Sequence, residues 1–370
     1  MADRARTSDA VVVGGGLHGL SAAIHLADAG LQVTLLESDR IGRHASGANA
    51  GGVRRLGRAL AEIPLAVAAL ERWHRISESI GDDCAFVPSH QIKVAETEAE
   101  LEALAQRSQT VRDFGFEHEE MIGRNALRSH LPDVADKCVG GMIVRGDGHA
   151  NPLRTVQAFY RRAVQLGVRV EQSCPVRKIS RSGGSWQVET PCMQLSAPVI
   201  VNAAGAWGDR IAAMMGDTVQ LEAQALMLMI TERLRPFLLP VVGAQGRALS
   251  FKQFANGTVL IGGAYQGKAD LSDGNTSVDI RGLAANAAAA AAIFPLMRTT
   301  RIARAWAGIE GVTPDRVPII GSGLQDGAFH LFGFSAHGFA LAPITGQIIS
   351  DLVTLERTSF DISPFAVERF

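Results

Sequence analysis

Apolar positions in the first forty residues fall into three blocks. DAVVVGG contains an uninterrupted buried-strand run, LHGLSAAIHLADAG carries apolar residues at helical spacing, and LQVTLLE is a second strand. Strand, glycine turn, helix and strand in this order predict a parallel βαβ unit. Residues 60 to 80 again have helical spacing, ended by Gly81 and an Asp pair. QIKVAE (91 to 96) predicts a strand, and ETEAELEALAQRSQTVRDFG an amphipathic, solvent-facing helix ended by glycine. A second passage of alternating helix and strand begins at Asn151. It comprises a helix over 152 to 166 with proline near its start, strand-like VRVEQSCPVRKI, a turn at SRSGGS and a strand at SWQVET.

APVIVNAAGAWGDRIAAMMG then reads as a buried strand passing through small residues into a helix, the pattern of a parallel strand with a ligand at its carboxyl end. From 221 to 304 the pattern changes to shorter alternating strands, QALMLMI, ALSFKQF and TVLIGGAY, with a plain helix across the alanine run at 284 to 292. These predict a mainly antiparallel sheet. WAGIEGVTPDRVPIIG, the strand GAFHLFGFS and the helix AHGFALAPITGQIISDLVTL return to strand, glycine turn and helix, and are expected to rejoin the first domain.

A chain of 370 residues can bury a large core, divided into two domains or a discontinuous domain with an insertion. Its 36 basic and 37 acidic residues, a formal charge of −1, give no electrostatic case for nucleic acid or an anionic membrane. A small molecule is the expected partner. Cys84, Cys138, Cys174 and Cys192 form no CxxC pair, so inert thiols in a reducing compartment are expected, with no metal site. MADRARTSD is charged and leads into a strand without a hydrophobic signal segment. No uninterrupted apolar run, AQALMLMI included, reaches membrane-spanning length. The expectation is a cytoplasmic protein with no membrane span and a disordered arm over its first few residues.

The glycine turn carries the first chemistry. Gly14 permits a tight turn, Gly16 lets the backbone approach a pyrophosphate, and Gly19 lets the helix pack closely on the strand. The N–H groups and dipole at the helix start attract phosphate. Glu37, eighteen residues past Gly19, ends the second strand where a carboxylate can accept from a ribose hydroxyl. The glycine-rich, arginine-rich stretch IGRHASGANAGGVRRLGR suits close passage along a planar cofactor.

With the first motif, SGANAGG, VNAAGAWGD, WAGIEGVTPDRVPIIG and GFSAHGFALAP in this order, the chain resembles the D-amino-acid oxidase superfamily of flavoproteins, in particular its glycine oxidase and sarcosine oxidase branch, over nearly its whole length. The resemblance implies an α/β fold: a discontinuous Rossmann-type FAD-binding domain from residues 1–86, 145–220 and 305–370, and a substrate domain of mainly antiparallel β-sheet plus helices from 87–144 and 221–304. It implies FAD bound in extended form. Gly14, Gly16, Gly19 and Glu37 hold its ADP part, Ser46, Ala50 and Gly51 line the flavin, Ala204 and Gly205 approach the cofactor, and Gly338 and Phe339 lie at the pyrimidine end. Positions at which relatives attach flavin covalently fall on Ala48 and Gly308, with His44 outside the attachment position, so non-covalent FAD is expected.

The implied activity is oxidation of a C–N bond in a small amino acid by hydride transfer to flavin N5 and hydrolysis of the imine, with O2 as acceptor. Glycine and N-substituted glycines such as sarcosine or iminodiacetate are the expected substrates. The carboxylate-clamping arginine of glycine oxidases falls on Glu310, and the lysine that sarcosine oxidases place after His-Gly-Phe falls on Ala340. Arg54, Arg55 and Arg58 are the replacements, because a planar guanidinium matches a carboxylate's two oxygens. Each is equally the residue type of a solvated charge or a phosphate contact. If two or three converge, a dicarboxylate becomes the better substrate. His337 beside the flavin, Lys252 on a flavin-facing strand and Glu310 as acceptor from the amine complete the expected catalytic set. The alternatives are an amino-acid (for example hydroxyproline-type) or 2-hydroxyacid dehydrogenase using a quinone or a partner subunit, and a flavin-bearing subunit without independent turnover.

Overall fold

The computed structural model describes residues 6–370; the expected arm over residues 1–5 lies outside the described residues. Ala10–Val13 forms the centre of a six-stranded sheet in the order Ile319–Ser322, Ala328–Phe332, Val199–Asn202, Ala10–Val13, Val33–Leu36 and Arg169–Glu171. Every pair is parallel except the edge strand Ile319–Ser322. The apolar runs are uninterrupted because both faces are covered. Ala10 and Val12 pack under the helices Leu17–Asp28, Ile63–His74, Pro152–Gln165 and Gly338–Leu355. Val11 and Val13 pack on the opposite side against Trp186, Val188 and Leu195 of a four-stranded sheet and against Ile211 and Met215 of the helix Gly208–Met215.

Local signals set the helix ends. Asn151 accepts from the Arg154 N–H at the start of Pro152–Gln165, and Thr97 accepts from Glu100 at the start of Glu98–Asp113. The stretch from 60 to 80 divides at Arg75 into Ile63–His74 and Ile76–Ile80 and stops at Gly81 in the left-handed region. Gly338–Leu355 is long and apolar enough by length and composition to cross a membrane, although Thr345, Gln347, Ser350 and Asp351 interrupt its apolar run. It packs on Leu17–Asp28 and Ile63–His74 as a core helix.

The second sheet has eight strands, ordered Ile302–Val312, Glu222–Thr231, Val259–Gln266, Ser250–Gln253, Val241–Ala244, Gln91–Ala95, Gly140–Val144 and Glu120–Gly123. All neighbours are antiparallel except Val241–Ala244 on Gln91–Ala95. Ile302–Val312 pairs along Glu222–Thr231, so this strand extends the substrate sheet past residue 305, the expected start of the final nucleotide-binding segment. One face of the sheet, with Ile92, Val242, Phe251, Ile261 and Met229 in register, is covered by the helix Ile280–Ile293 and by Phe294, which stacks on Phe251 at 4.8 Å. The next row, Lys93, Gly243, Ser250, Gly262 and Leu228, points the other way, toward the six-stranded sheet. The cysteines are unpaired; Cys84, Cys138 and Cys174 are buried, while Cys192 is exposed.

Candidate active site

A cavity of about 1020 Å³ runs between the two large sheets from Glu37 and Asp39 to Gln91 and Lys93. Its first end is the glycine turn. Gly14 has φ +112°, and a Cβ there would collide with the Ala203 carbonyl, so the turn closes only around glycine. A Cβ at Gly19 would meet the Gly14 carbonyl. Gly16 caps the helix Leu17–Asp28 without a side chain, and the Ser46 hydroxyl reaches over to accept from the Leu17 N–H at 2.8 Å. Ser46 therefore sits at the phosphate-binding helix start. Glu37 is buried and accepts from the Gly15 N–H at 2.7 Å, the Asp39 N–H at 2.8 Å and the Ser38 hydroxyl at 3.2 Å. Burial pushes its carboxyl above the usual range against those donors.

Ala203 and Ala204 follow the strand Val199–Asn202, whose terminal Asn202 accepts from the Ala204 N–H at 3.2 Å. Gly205, φ +58°, turns the chain into Gly208–Met215. Ala50 and Gly51 line the middle of the cavity, as do Gly338 and Phe339; a Cβ at Gly338 would press on His18 and Phe334. Ala48 and Gly308 face each other there, since a Cβ on Gly308 would lie 2.7 Å from that of Ala48. Neither offers a nucleophile.

A bare glycine turn at a helix N-terminus, a carboxylate at the tip of the next strand and a long cavity of dinucleotide dimensions fit FAD. A model for FAD dependent oxidoreductase (DAO) matches residues 9–352. The chain belongs to this family. It is 25% identical to a glycine oxidase of Geobacillus kaustophilus, over 98% of this chain and 97% of that one. It is 26% identical to sarcosine oxidase subunit beta of Rhizobium meliloti, over 98% and 88%. Among solved structures, the Geobacillus kaustophilus glycine oxidase superposes with a TM-score of 0.91 at 24% identity, covering 99% of each chain. An L-proline dehydrogenase from P.horikoshii also gives 0.91, at 23% identity and 99% and 98% coverage. The DAO fold, the enzyme class and dependence on FAD follow from the family match and these full-length relatives.

The cavity divides the expected site residues. Arg54, Arg58 and Glu310 line it; Arg55, His337 and Lys252 do not. Arg55 turns outward onto Asp147, with Nε 3.1 Å from a carboxylate that is buried and also holds the Arg55 and Leu56 N–H groups. It is a structural ion pair rather than a free cation. His337 is withdrawn onto Glu62, with Nδ1 3.1 Å from Oε2, and burial followed by repulsion from Arg58 lowers its pKa to about 4. Its ring is held on Glu62 and does not line the cavity. Lys252 shares the cavity face with Ser250, but its ammonium donates to the Ala50 carbonyl of the cavity-lining loop. Burial lowers its pKa to about 7.

Arg58 is 1% exposed; its Nε donates to the Arg54 carbonyl at 3.1 Å and its Nη1 has no partner among the described residues. Burial, then Arg54, lowers it to about 9, so it stays charged at pH 7. Arg54 donates to the Leu56 carbonyl and has no carboxylate partner among the described residues. Burial opposes ionisation of Glu62, but the His337 hydrogen bond and nearby Arg58 outweigh it and hold the carboxyl below its usual range. Glu310 accepts from the Ala336 N–H at 2.9 Å, and burial raises its pKa to about 7. Glu62 and Asp147, not singled out in the sequence, anchor this end of the site. Gln91 and Lys93 line it too, and the polar–apolar alternation of QIKVA is the sequence signal that places them on one strand face.

Proposed function

We propose that the protein oxidises the C–N bond of a small amino acid, a glycine or N-substituted glycine, with the substrate carboxylate held by Arg58 and Arg54. The observation that carries this reading is a buried guanidinium edge, Arg58 Nη1, left without a partner beside the cavity. A buried charged donor is stable only when it meets an acceptor, and a carboxylate supplies one in the plane of the guanidinium. When bound, FAD supplies the two-electron acceptor for the C–H bond next to the substrate nitrogen. Arg54 and Arg58 fix the carboxylate, and the glycine floor of the substrate sheet leaves the carbon open to the cofactor. Glu310, ionised above about pH 7, accepts from the substrate amine. The imine formed by loss of two electrons and two protons is hydrolysed by water, releasing an oxoacid and an amine. With Ala48 and Gly308 at the attachment positions, FAD is held non-covalently.

The test is anaerobic bleaching of the flavin by glycine, sarcosine, iminodiacetate, proline derivatives, D-amino acids and 2-hydroxyacids. Bleaching by amines is expected, with Arg58→Ala raising KM by about tenfold or more. Bleaching by 2-hydroxyacids alone would replace the proposal with the hydroxyacid reading. O2 is the proposed acceptor. The relative named as a sarcosine oxidase subunit supports transfer to a partner subunit as the second reading. Reduced protein that fails to reoxidise in air would favour it.

A further inference from the structure

Resting on the C–N oxidation proposed for this site, we infer that Lys93 and Gln91 form a second carboxylate subsite, so that the preferred substrate is a secondary amine carrying an acidic group on each arm. Both residues point into the cavity from Gln91–Ala95, two residues apart on one face of the strand. Lys93 Nζ makes no hydrogen bond or ion pair with any described residue. Gln91 is 8% exposed, and its amide nitrogen, the group that can donate to a carboxylate, makes no hydrogen bond with any described residue.

The charge balance points the same way. Of the carboxylates near this end, Glu119 is held by Arg107 at 3.0 Å and Asp147 by Arg55 at 3.1 Å. Glu62, whose partner His337 is neutral at pH 7, is left to face Arg54 and Arg58, while Lys93 lies near Arg54 and the Glu119 that Arg107 already holds. Three cations against one carboxylate leave two positive charges around the cavity, the complement of two substrate carboxylates. Arg54 and Lys93 repel one another, and burial with that repulsion lowers the Lys93 pKa; an anion between them relieves both.

Space permits the longer substrate. Lys93, Gly243, Ser250 and Gly262 lie in register across four adjacent strands, about 14 Å of sheet at the usual strand spacing. Two of these four positions have no side chain. Gly243 leaves the floor open beside Lys93, while the Leu228 side chain lies over Gly262 and bounds the space at the far end. The second arm of the substrate can lie along the floor with its carboxylate at Lys93.

The experiment compares substrates that carry or lack the second carboxylate, one pair matched in size, using the FAD-loaded full chain. Turnover is measured with N-(2-carboxyethyl)glycine against N-propylglycine and with iminodiacetate against sarcosine, for wild type, Lys93→Met and Lys93→Arg. Binding is measured without turnover from the flavin absorbance change with thiodiacetate against methylthioacetate, whose sulfur replaces the oxidised nitrogen. The expected wild-type preference for the dianion is about tenfold or more in kcat/KM, carried by KM, from one charge-assisted contact. Lys93→Met is expected to collapse that ratio, and the corresponding ratio of Kd values, by about tenfold; Lys93→Arg retains most of both. A wild type that handles the neutral-arm substrate as well as the dianion overturns the inference while the C–N oxidation reading stands. Equal losses on both members of each pair in Lys93→Met also overturn it, since they mark a structural role. Failure of every amine to bleach the flavin overturns both readings.

Discussion

Replacing Glu310 by glutamine isolates one buried charge. The side chain lines the cavity, accepts from the Ala336 N–H, and has its pKa raised by burial from 4.5 to about 7. Glutamine keeps the shape and the acceptor oxygen while removing the titration. Between pH 4.5 and 7 the folded wild-type protein binds a proton that the unfolded chain has released, so stability falls as pH rises through this window. Above about pH 7 the full penalty is present, about 3 kcal/mol for the span from 4.5 to about 7. With an unfolding entropy of about 2.1 cal/mol/K per residue, roughly 0.8 kcal/mol/K for this chain, that is about 4 °C in the thermal midpoint. Glu310→Gln is therefore expected to melt about 4 °C above wild type at pH 8 and level with it at pH 4.5, followed by far-UV circular dichroism. In turnover, wild-type kcat/KM rises with pH through about 7 as the acceptor ionises. The variant loses that limb and about tenfold in kcat/KM at pH 8, the worth of a hydrogen bond to a charged acceptor. Parallel melting curves for the two proteins across pH 4.5 to 8 would refute the assignment of a buried, titrating carboxyl at the site.

Gly14→Ala places a Cβ against the Ala203 carbonyl at a φ of +112°; the purified protein is expected to retain less than about a tenth of its flavin absorbance with unchanged far-UV circular dichroism. Lys252→Met removes a buried amine whose pKa is lowered to about 7. Wild-type stability rises with pH from about 7 to 10.5 as the unfolded chain gives up the proton the folded state already lacks, and the variant's thermal midpoint lacks this rise. Arg55→Ala leaves the buried Asp147 with only its backbone donors, so a loss of about 3 kcal/mol in urea denaturation is expected without a change in KM.

The nucleotide-binding half was legible because its signals are local. Gly14, Gly19 and Glu37 lie within 24 residues of one another, and their geometry follows from the turn they build. The VIVN strand and its small-residue turn announce burial on both faces in the same way. The boundary near residue 305 was not legible, because the pairing partner of Ile302–Val312 lies some eighty residues earlier and no local pattern distinguishes that strand from the strands after it.

The three arginines show where sequence reasoning stops. Arg54, Arg55 and Arg58 are the same residue type within five positions, yet Arg55 points outward and the other two inward. What divides them is Asp147, more than ninety residues away, which claims both the guanidinium of Arg55 and its backbone N–H. That contact fixes the direction of Arg55 within the loop. The same logic accounts for His337, adjacent in sequence to the cavity-lining Gly338 but drawn off by Glu62. Which cation is free to meet an anionic substrate is thus decided by which cations the protein's own buried carboxylates have already taken. Lys93, on a strand that announced only a sheet, becomes a specificity candidate because Glu119 is occupied by Arg107.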